Sequence, residues 1–271
     1  MLLLIGIIIG LVLGLTGAGG SVFAVPLLML LGGLPMGEAV GISLGAVAIS
    51  ALYGSLRNWR GKNILWLPGV ILAVTGAVTA PLGKWLGSQL PSLWLLIGFS
   101  TLALIIAGRM WLSASRNPSA ASLVRASHLS DEPTPGLLCN LSKTGQFELR
   151  PRCMSGLIIG GAGVGVLSGL FGVGGGFLIV PLLLALSLIS MAQAVSTSLL
   201  IIAAVSGSGF VSHLLISPSN PWLALGFVGA GGVLGMMLGQ LLSPKIANAR
   251  LQKIFAMCLI AVSLTTLAVN F

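Results

Sequence analysis

The chain has 271 residues, of which 56% are hydrophobic and only 6% charged, with a formal net charge of +9. A soluble domain carries about 25% charged residues, so there is too little charge here to cover a water-facing surface; the mean hydropathy of +1.10 agrees. No Asp, Glu, Lys or Arg occurs from Met1 to Gly37 or from Cys153 to Pro244, and such runs exceed the roughly 20 apolar residues that cross a bilayer. The composition excludes a soluble globular domain and predicts an all-α polytopic membrane protein.

In chain order, apolar segments fall at 2–31, 39–55, 64–87, 92–112, 154–186, 192–215, 221–243 and 251–270. A polar stretch at 113–152 separates the fourth from the fifth, so the chain divides into a first membrane repeat (1–112), a linker (113–152) and a second membrane repeat (153–271). The basic residues are scattered through loops without interleaved aromatics. They read as orientation signals in a lipid bilayer, not as a nucleic-acid surface. Cys139, Cys153 and Cys258 show no paired spacing and read as structural thiols.

The two sides of the linker repeat each other. A shift of 155 residues places Gly6, Gly10 and Gly14 on Gly161, Gly165 and Gly169, and Gly17, Gly19 and Gly20 on Gly172, Gly174 and Gly175. Val25-Pro26-Leu27-Leu28 falls on Val180-Pro181-Leu182-Leu183, and Met36, Ala39, Val40 and Ser43 on Met191, Ala194, Val195 and Ser198. From Gly14 to Leu44, 15 of 31 positions are identical without a gap. Apolar composition alone would match Leu with Leu, but not glycines, prolines and serines in one register.

Charge orients the copies. Arg57, Arg60 and Lys62 follow the second segment, whereas the equivalent loop near 213–221 is uncharged; Lys245, Arg250 and Lys253 precede the last segment, whereas their counterpart loop carries only Lys84. The basic loop therefore occupies opposite places in the two halves, and the positive-inside rule then predicts two inverted repeats. That requires an odd number of crossings per half. The first segment of each half is interrupted by Thr16-Gly17-Ala18-Gly19-Gly20-Ser21 or Phe171-Gly172-Val173-Gly174-Gly175-Gly176, with flanks of about 10 to 15 residues, half a bilayer at about 1.5 Å per residue. Each half is expected to hold one glycine-broken, re-entrant helix and three full transmembrane helices, with the linker on the cytoplasmic side.

Non-helical backbone at membrane depth is tolerated only where protein or a water-filled cavity satisfies it. The breaks free N–H groups at the starts of the following half-helices, about Ser21 and Gly176 onward, and such ends suit an oxyanion. The alternative is that the glycines only allow close helix packing, the reading taken for Gly6, Gly10, Gly14, Gly161 and Gly165. Gly17, Gly19, Gly20 and Ser21 with Gly172, Gly174, Gly175 and Gly176 are the candidate substrate contacts. Ser43, Ser196, Thr197 and Ser198 join them because a hydroxyl can donate to an anion without the cost of burying a cation; bonding back to their own helix is the competing account. Ser206 and Ser208 are weaker candidates of the same kind. His213 reads as an ordinary polar residue near a span end, Lys84 and Arg109 as snorkelling cations, and Glu38 as a helix N-terminal acid. No catalytic constellation, metal cluster or cofactor motif stands out, so neither an enzyme nor a cofactor is expected.

The motif Gly14-Leu15-Thr16-Gly17-Ala18-Gly19-Gly20-Ser21 with Val25-Pro26-Leu27-Leu28 resembles the TauE/SafE sulfite exporter family. Its second copy, Gly169-Leu170-Phe171-Gly172-Val173-Gly174-Gly175-Gly176 through Val180-Pro181-Leu182-Leu183, is closer to the family pattern, and Ala39-Val40 and Ala194-Val195 match its next stretch. Ser21 replaces the third glycine of the first copy, and the linker is longer than usual for the family. The resemblance implies a secondary transporter of the cytoplasmic (inner) membrane that exports small sulfur-containing anions, such as sulfite, sulfoacetate or related organosulfonates, by alternating access. An anion channel or a membrane-embedded structural subunit is the alternative, and homo-oligomerisation is left open.

Overall fold

The computed structural model describes residues 1–17, 20–59, 64–116, 151–186, 191–216, 222–242, 257, 260 and 261. Within them every regular element is a helix: α1 (Leu2–Thr16), α2 (Gly20–Leu30), α3 (Met36–Trp59), α4 (Trp66–Gln89), α5 (Ser92–Arg116), α6 (Pro151–Phe171), α7 (Gly176–Leu186), α8 (Met191–Ile216) and α9 (Trp222–Leu242). Five described helices are long and apolar enough to cross a membrane: α3, α4, Cys153–Phe171 of α6, Gln193–Leu215 of α8, and α9. Of the expected span at 251–270 only 257, 260 and 261 are described, and the linker from 117 to 150 lies outside the described residues.

The spacing of two tryptophans on one helix matches the thickness of a bilayer. Trp66 and Trp85 are both exposed on α4, 19 residues or about 28 Å apart at 1.5 Å per residue, close to the roughly 30 Å hydrocarbon thickness. Trp59 stands edge-on to Trp66 with ring centroids 4.7 Å apart. Between these belts the outward surface carries Val70, Val74, Val78 and Leu82, which would be aggregation-prone in water and is stable against lipid.

Two features differ from the expectation. α6 was expected as half of a re-entrant hairpin, with a first arm of at most about 15 residues; it has 21. Arg152 ends the apolar run, but Pro151 at the first helical position is preorganised for a helix start and lacks only an N–H that would be unused there. Cys153 is disulfide-bonded, not a free thiol; its partner lies outside the described residues.

In both halves the broken segment doubles back. A β-carbon at Gly20 would overlap Ile9 and Leu13, so α2 returns along α1; Gly160 faces Leu182, and Gly175 faces Val164, so α7 returns along α6. The halves are interleaved instead of sitting side by side. α1 packs on α9, and α4 on α6, each helix meeting one from the other repeat. Gly6, Gly10 and Gly14 lie directly on the backbones of Val228, Gly232 and Met236, and Gly165 and Gly169 on those of Gly76 and Ala80. The residue numbers rise together, so both pairs run parallel. The centre is built from α3 and α8, which correspond under the 155-residue shift and run antiparallel: Gly41 lies against His213, Gly45 against Phe210, and Gly54 against Leu199. Fully buried Leu44, Val47, Ile202 and Val205 fill their interface.

Candidate functional site

The two breaks use the same chemistry. Gly17 closes α1 with φ 69° and Gly172 closes α6 with φ 69°, the left-handed conformation that lets a chain leave a helix while its N–H still reaches back. The Gly17 N–H donates to the Leu13 carbonyl at 2.7 Å, and the Gly172 N–H to the Ser168 carbonyl at 2.9 Å. Gly174 and Gly175 are also left-handed, at φ 68° and 67°. The chain then re-enters a helix at Gly20 and at Gly176; a first helical turn has no preceding turn of carbonyls to accept its N–H groups, and in α7 the Leu178 N–H is taken up by the Gly175 carbonyl at 3.0 Å.

Each break is held by the opposite repeat. The Ser43 hydroxyl of α3 donates to the Gly172 carbonyl at 2.9 Å, and the equivalent Ser198 hydroxyl of α8 donates to the Gly17 carbonyl, also at 2.9 Å. Val40 packs on Gly172 as Val195 packs on Gly17. Ser43 and Ser198, expected as anion donors, thus direct their protons to backbone carbonyls, which a left-handed glycine leaves without a helical partner. Ser198 additionally lies 2.8 Å from the carbonyl of Val195, its own helix.

The breaks meet near the middle of the bundle. A β-carbon at Gly174 would stand 2.6 Å from the Ser206 hydroxyl, 3.0 Å from Val47 and 3.5 Å from the Ser21 β-carbon. The start of α2, the approach to α7 and the middle of α8 therefore share one small volume. Ser21 and Ser206 are wholly buried, and among the described residues the Ser206 hydroxyl has no hydrogen-bond partner, as is true of Ser168 beside Gly175. A buried hydroxyl without a partner costs about 1–3 kcal/mol, which a bound acceptor would recover.

Not every candidate converges on this point. Thr197 is buried but turns to the start of α4, where its hydroxyl accepts the Leu65 N–H at 3.0 Å. Ser196 is buried on α8, about 200° around the helix from Ser198 at 100° per residue. Gly19 lies outside the described residues. Thr197→Val is accordingly expected to lower folding stability by about 1 kcal/mol through an unsatisfied N–H at the α4 entrance; thermal unfolding in detergent at the wild-type midpoint would refute that role. Ser206, a weaker candidate by sequence, is the residue best placed at the crossing; its repeat counterpart is Ala51, so the duplication does not mark it. The structure also brings Lys84 and His213, assigned to unrelated span ends, to one cleft beside the Gly172 break.

Paired half-helices broken at buried glycines, inside a bundle of membrane-length helices, define a multi-pass membrane protein of the transporter class. Comparison with known proteins agrees: residues 2–266 match the model of the family described as Sulfite exporter TauE/SafE. The chain belongs to that family. It is 31% identical over 266 residues to a "Probable membrane transporter protein" of Xylella fastidiosa (strain Temecula1), covering 96% of this chain and 91% of the relative. It is 31% identical over 225 residues to the probable membrane transporter protein YdhB of Bacillus subtilis, covering 80% and 82% of the two chains. An archaeal relative, the probable membrane transporter protein MJ0441 of Methanocaldococcus jannaschii, is 27% identical over 259 residues, 94% of this chain and 86% of its own. No solved structure matches the chain. The protein is a membrane transporter.

Proposed function

We propose that the chain exports small sulfur-containing anions, such as sulfite, sulfoacetate or related sulfonates, across the cytoplasmic membrane by alternating access. The observation that carries this reading is the crossing of the two breaks, where half-helix starts converge beside the buried, unpartnered Ser206 hydroxyl. Helix N-termini supply N–H donors and partial positive charge without a titratable cation, which suits an oxyanion released again at each turnover. The substrate contacts are the backbone around Gly17, Gly19, Gly20 and Ser21 and around Gly172, Gly174, Gly175 and Gly176, with Ser206 donating from α8. Ser43 and Ser198 position both breaks by holding their carbonyls. Ser196 and Thr197 lie outside this set.

The antiparallel run of the corresponding helices α3 and α8 supports halves of inverted orientation, the arrangement that lets one site face either side in turn. The glycine-lined contacts keep α1 with α9 and α4 with α6, so the moving bodies are these cross-repeat pairs turning about the α3–α8 centre. Family membership supports the sulfur-anion class.

Proteoliposomes loaded with labelled sulfite or sulfoacetate test the reading. Moving one charge through 100 mV is worth about 2.3 kcal/mol, so an inside-negative potential of that size is expected to drive a monovalent anion such as bisulfite outward to a gradient of roughly fiftyfold, and doubly charged sulfoacetate to a steeper one. Absence of flux for sulfite and for a series of sulfonates would reject it.

A further inference from the structure

At the Trp85 end of α4 a cleft of about 280 Å³ opens between the repeats, lined by Met36 and Gly37 of α3, Lys84 and Ser88 of α4, Leu170 of α6 and His213 of α8. Lys84 is only 9% exposed and His213 only 2%. The His213 ring rests on Gly41, where a β-carbon would overlap it. Glu38, the one acidic side chain among the described residues, sits on the first turn of α3 and does not line the cleft. Among the described residues no ion-pair or hydrogen-bond partner of Lys84 is found.

A largely buried lysine without a counter-charge is costly, and in folded proteins such charges are paired; the Lys84 side chain is mostly enclosed while its ammonium opens to the cleft. α6 packs on the Lys84 backbone through Gly169, which fixes where the side chain leaves α4. The cleft holds a second source of positive potential: Met36 and Gly37 open α3, and the first N–H groups of a helix lack intrahelical acceptors. A volume of about 280 Å³ corresponds to roughly nine waters at about 30 Å³ each, room for a small organic oxyanion with part of its hydration. The cleft also adjoins the glycine break: Val40 lines it and packs on Gly172, two residues beyond Leu170.

This device exists at one end only. The 155-residue shift places Gly239 at the position of Lys84 and Asn58 at that of His213, and Gly239 is occupied by its contact with Leu11 and Gly14. We propose that the cleft is a second anion site, a one-sided vestibule. The Lys84 ammonium and the first N–H groups of α3 hold a water-soluble sulfite- or sulfonate-type oxyanion there, immediately outside the Gly172 break. The proposal rests on the anion-transport reading above. A lipid phosphate would satisfy the same donors, and the test separates the two sources.

The test is calorimetric titration of the purified full-length chain, in an uncharged maltoside detergent, with sulfite and sulfoacetate, alongside flux of the same anions in proteoliposomes. Lys84→Met keeps the apolar stem and is expected to weaken binding at least about tenfold, the size of one lost charge-assisted hydrogen bond. Lys84→Arg keeps the charge and is expected to stay within about threefold of wild type. Ser88→Asp alters an exposed position and places a carboxylate against Lys84. It is expected to reproduce the Lys84→Met loss without touching buried packing. Wild-type affinity in both Lys84→Met and Ser88→Asp, with flux intact, overturns the vestibule and leaves the transport reading standing. No binding and no flux in the wild type overturns the transport reading and the vestibule with it. Thermal stabilisation by added phosphatidylglycerol that disappears in Lys84→Met, with no effect of the free anions, makes the occupant a lipid headgroup and overturns the soluble-anion assignment.

Discussion

Alanine at Gly165 is expected to destabilise the protein by about 1–3 kcal/mol, whereas alanine two residues earlier, at Gly163, is expected to stabilise it by about 0.5–1 kcal/mol. Both lie in the interior of α6 and both changes add one methyl group. At Gly165 the new β-carbon would overlap the Thr79 hydroxyl and stand 2.8 Å from the Gly76 α-carbon, so a helix backbone would have to move; at Gly163 nothing lies within 4 Å. The open site gains the usual helical advantage of Ala over Gly. Unfolding of the two variants in detergent, followed by circular dichroism, gives opposite shifts if α4 and α6 are packed backbone to backbone. Equal stability of the two would rule out that contact.

The second large effect belongs to the crossing of the breaks. Gly174→Ala is expected to cut anion flux at least about tenfold relative to Gly226→Ala on α9, where a β-carbon meets nothing within 4 Å. Holding an L-residue at φ 68° costs about 1–2 kcal/mol, and the methyl would press 2.6 Å from the Ser206 oxygen, into the space assigned to the anion. A tenfold rate loss corresponds to about 1.4 kcal/mol, which a displaced half-helix start readily supplies. Flux at the reference rate in a folded Gly174→Ala protein would remove the crossing from the transport path.

Much of this arrangement is legible in the chain because bilayer physics leaves few options. Uncharged runs must be helices, and the observed ends of α3, α4, α8 and α9 fall within a few residues of the apolar segments. The matched glycines mark both breaks, and the matched Ser43 and Ser198 mark the residues that hold them. What periodicity cannot reveal is partnership. Gly6, Gly10 and Gly14 announce a close neighbour, but any flat helix face would satisfy them, and α9 is identified only by the fold. The direction of a hydroxyl is equally hidden: by sequence Ser43 and Ser198 suit a ligand, yet the nearest uncompensated carbonyls belong to the opposite break. The meeting of Lys84 and His213 is invisible in the sequence because each alone is ordinary at a span end, and the repeat has no copy of either.

The exchange of helices between repeats also sets the order in which the protein can be made. α1 is made well before α9, yet the backbone that covers its glycine face is that of α9, which begins at Trp222. At synthesis rates of about 5–20 residues per second, α1 waits roughly 10 to 40 s with that face turned to lipid. Neither repeat can finish folding before the other exists, so the nascent transporter must pass through a bilayer-embedded intermediate held by a surrogate partner for α1, whether lipid, an insertase or a neighbouring chain.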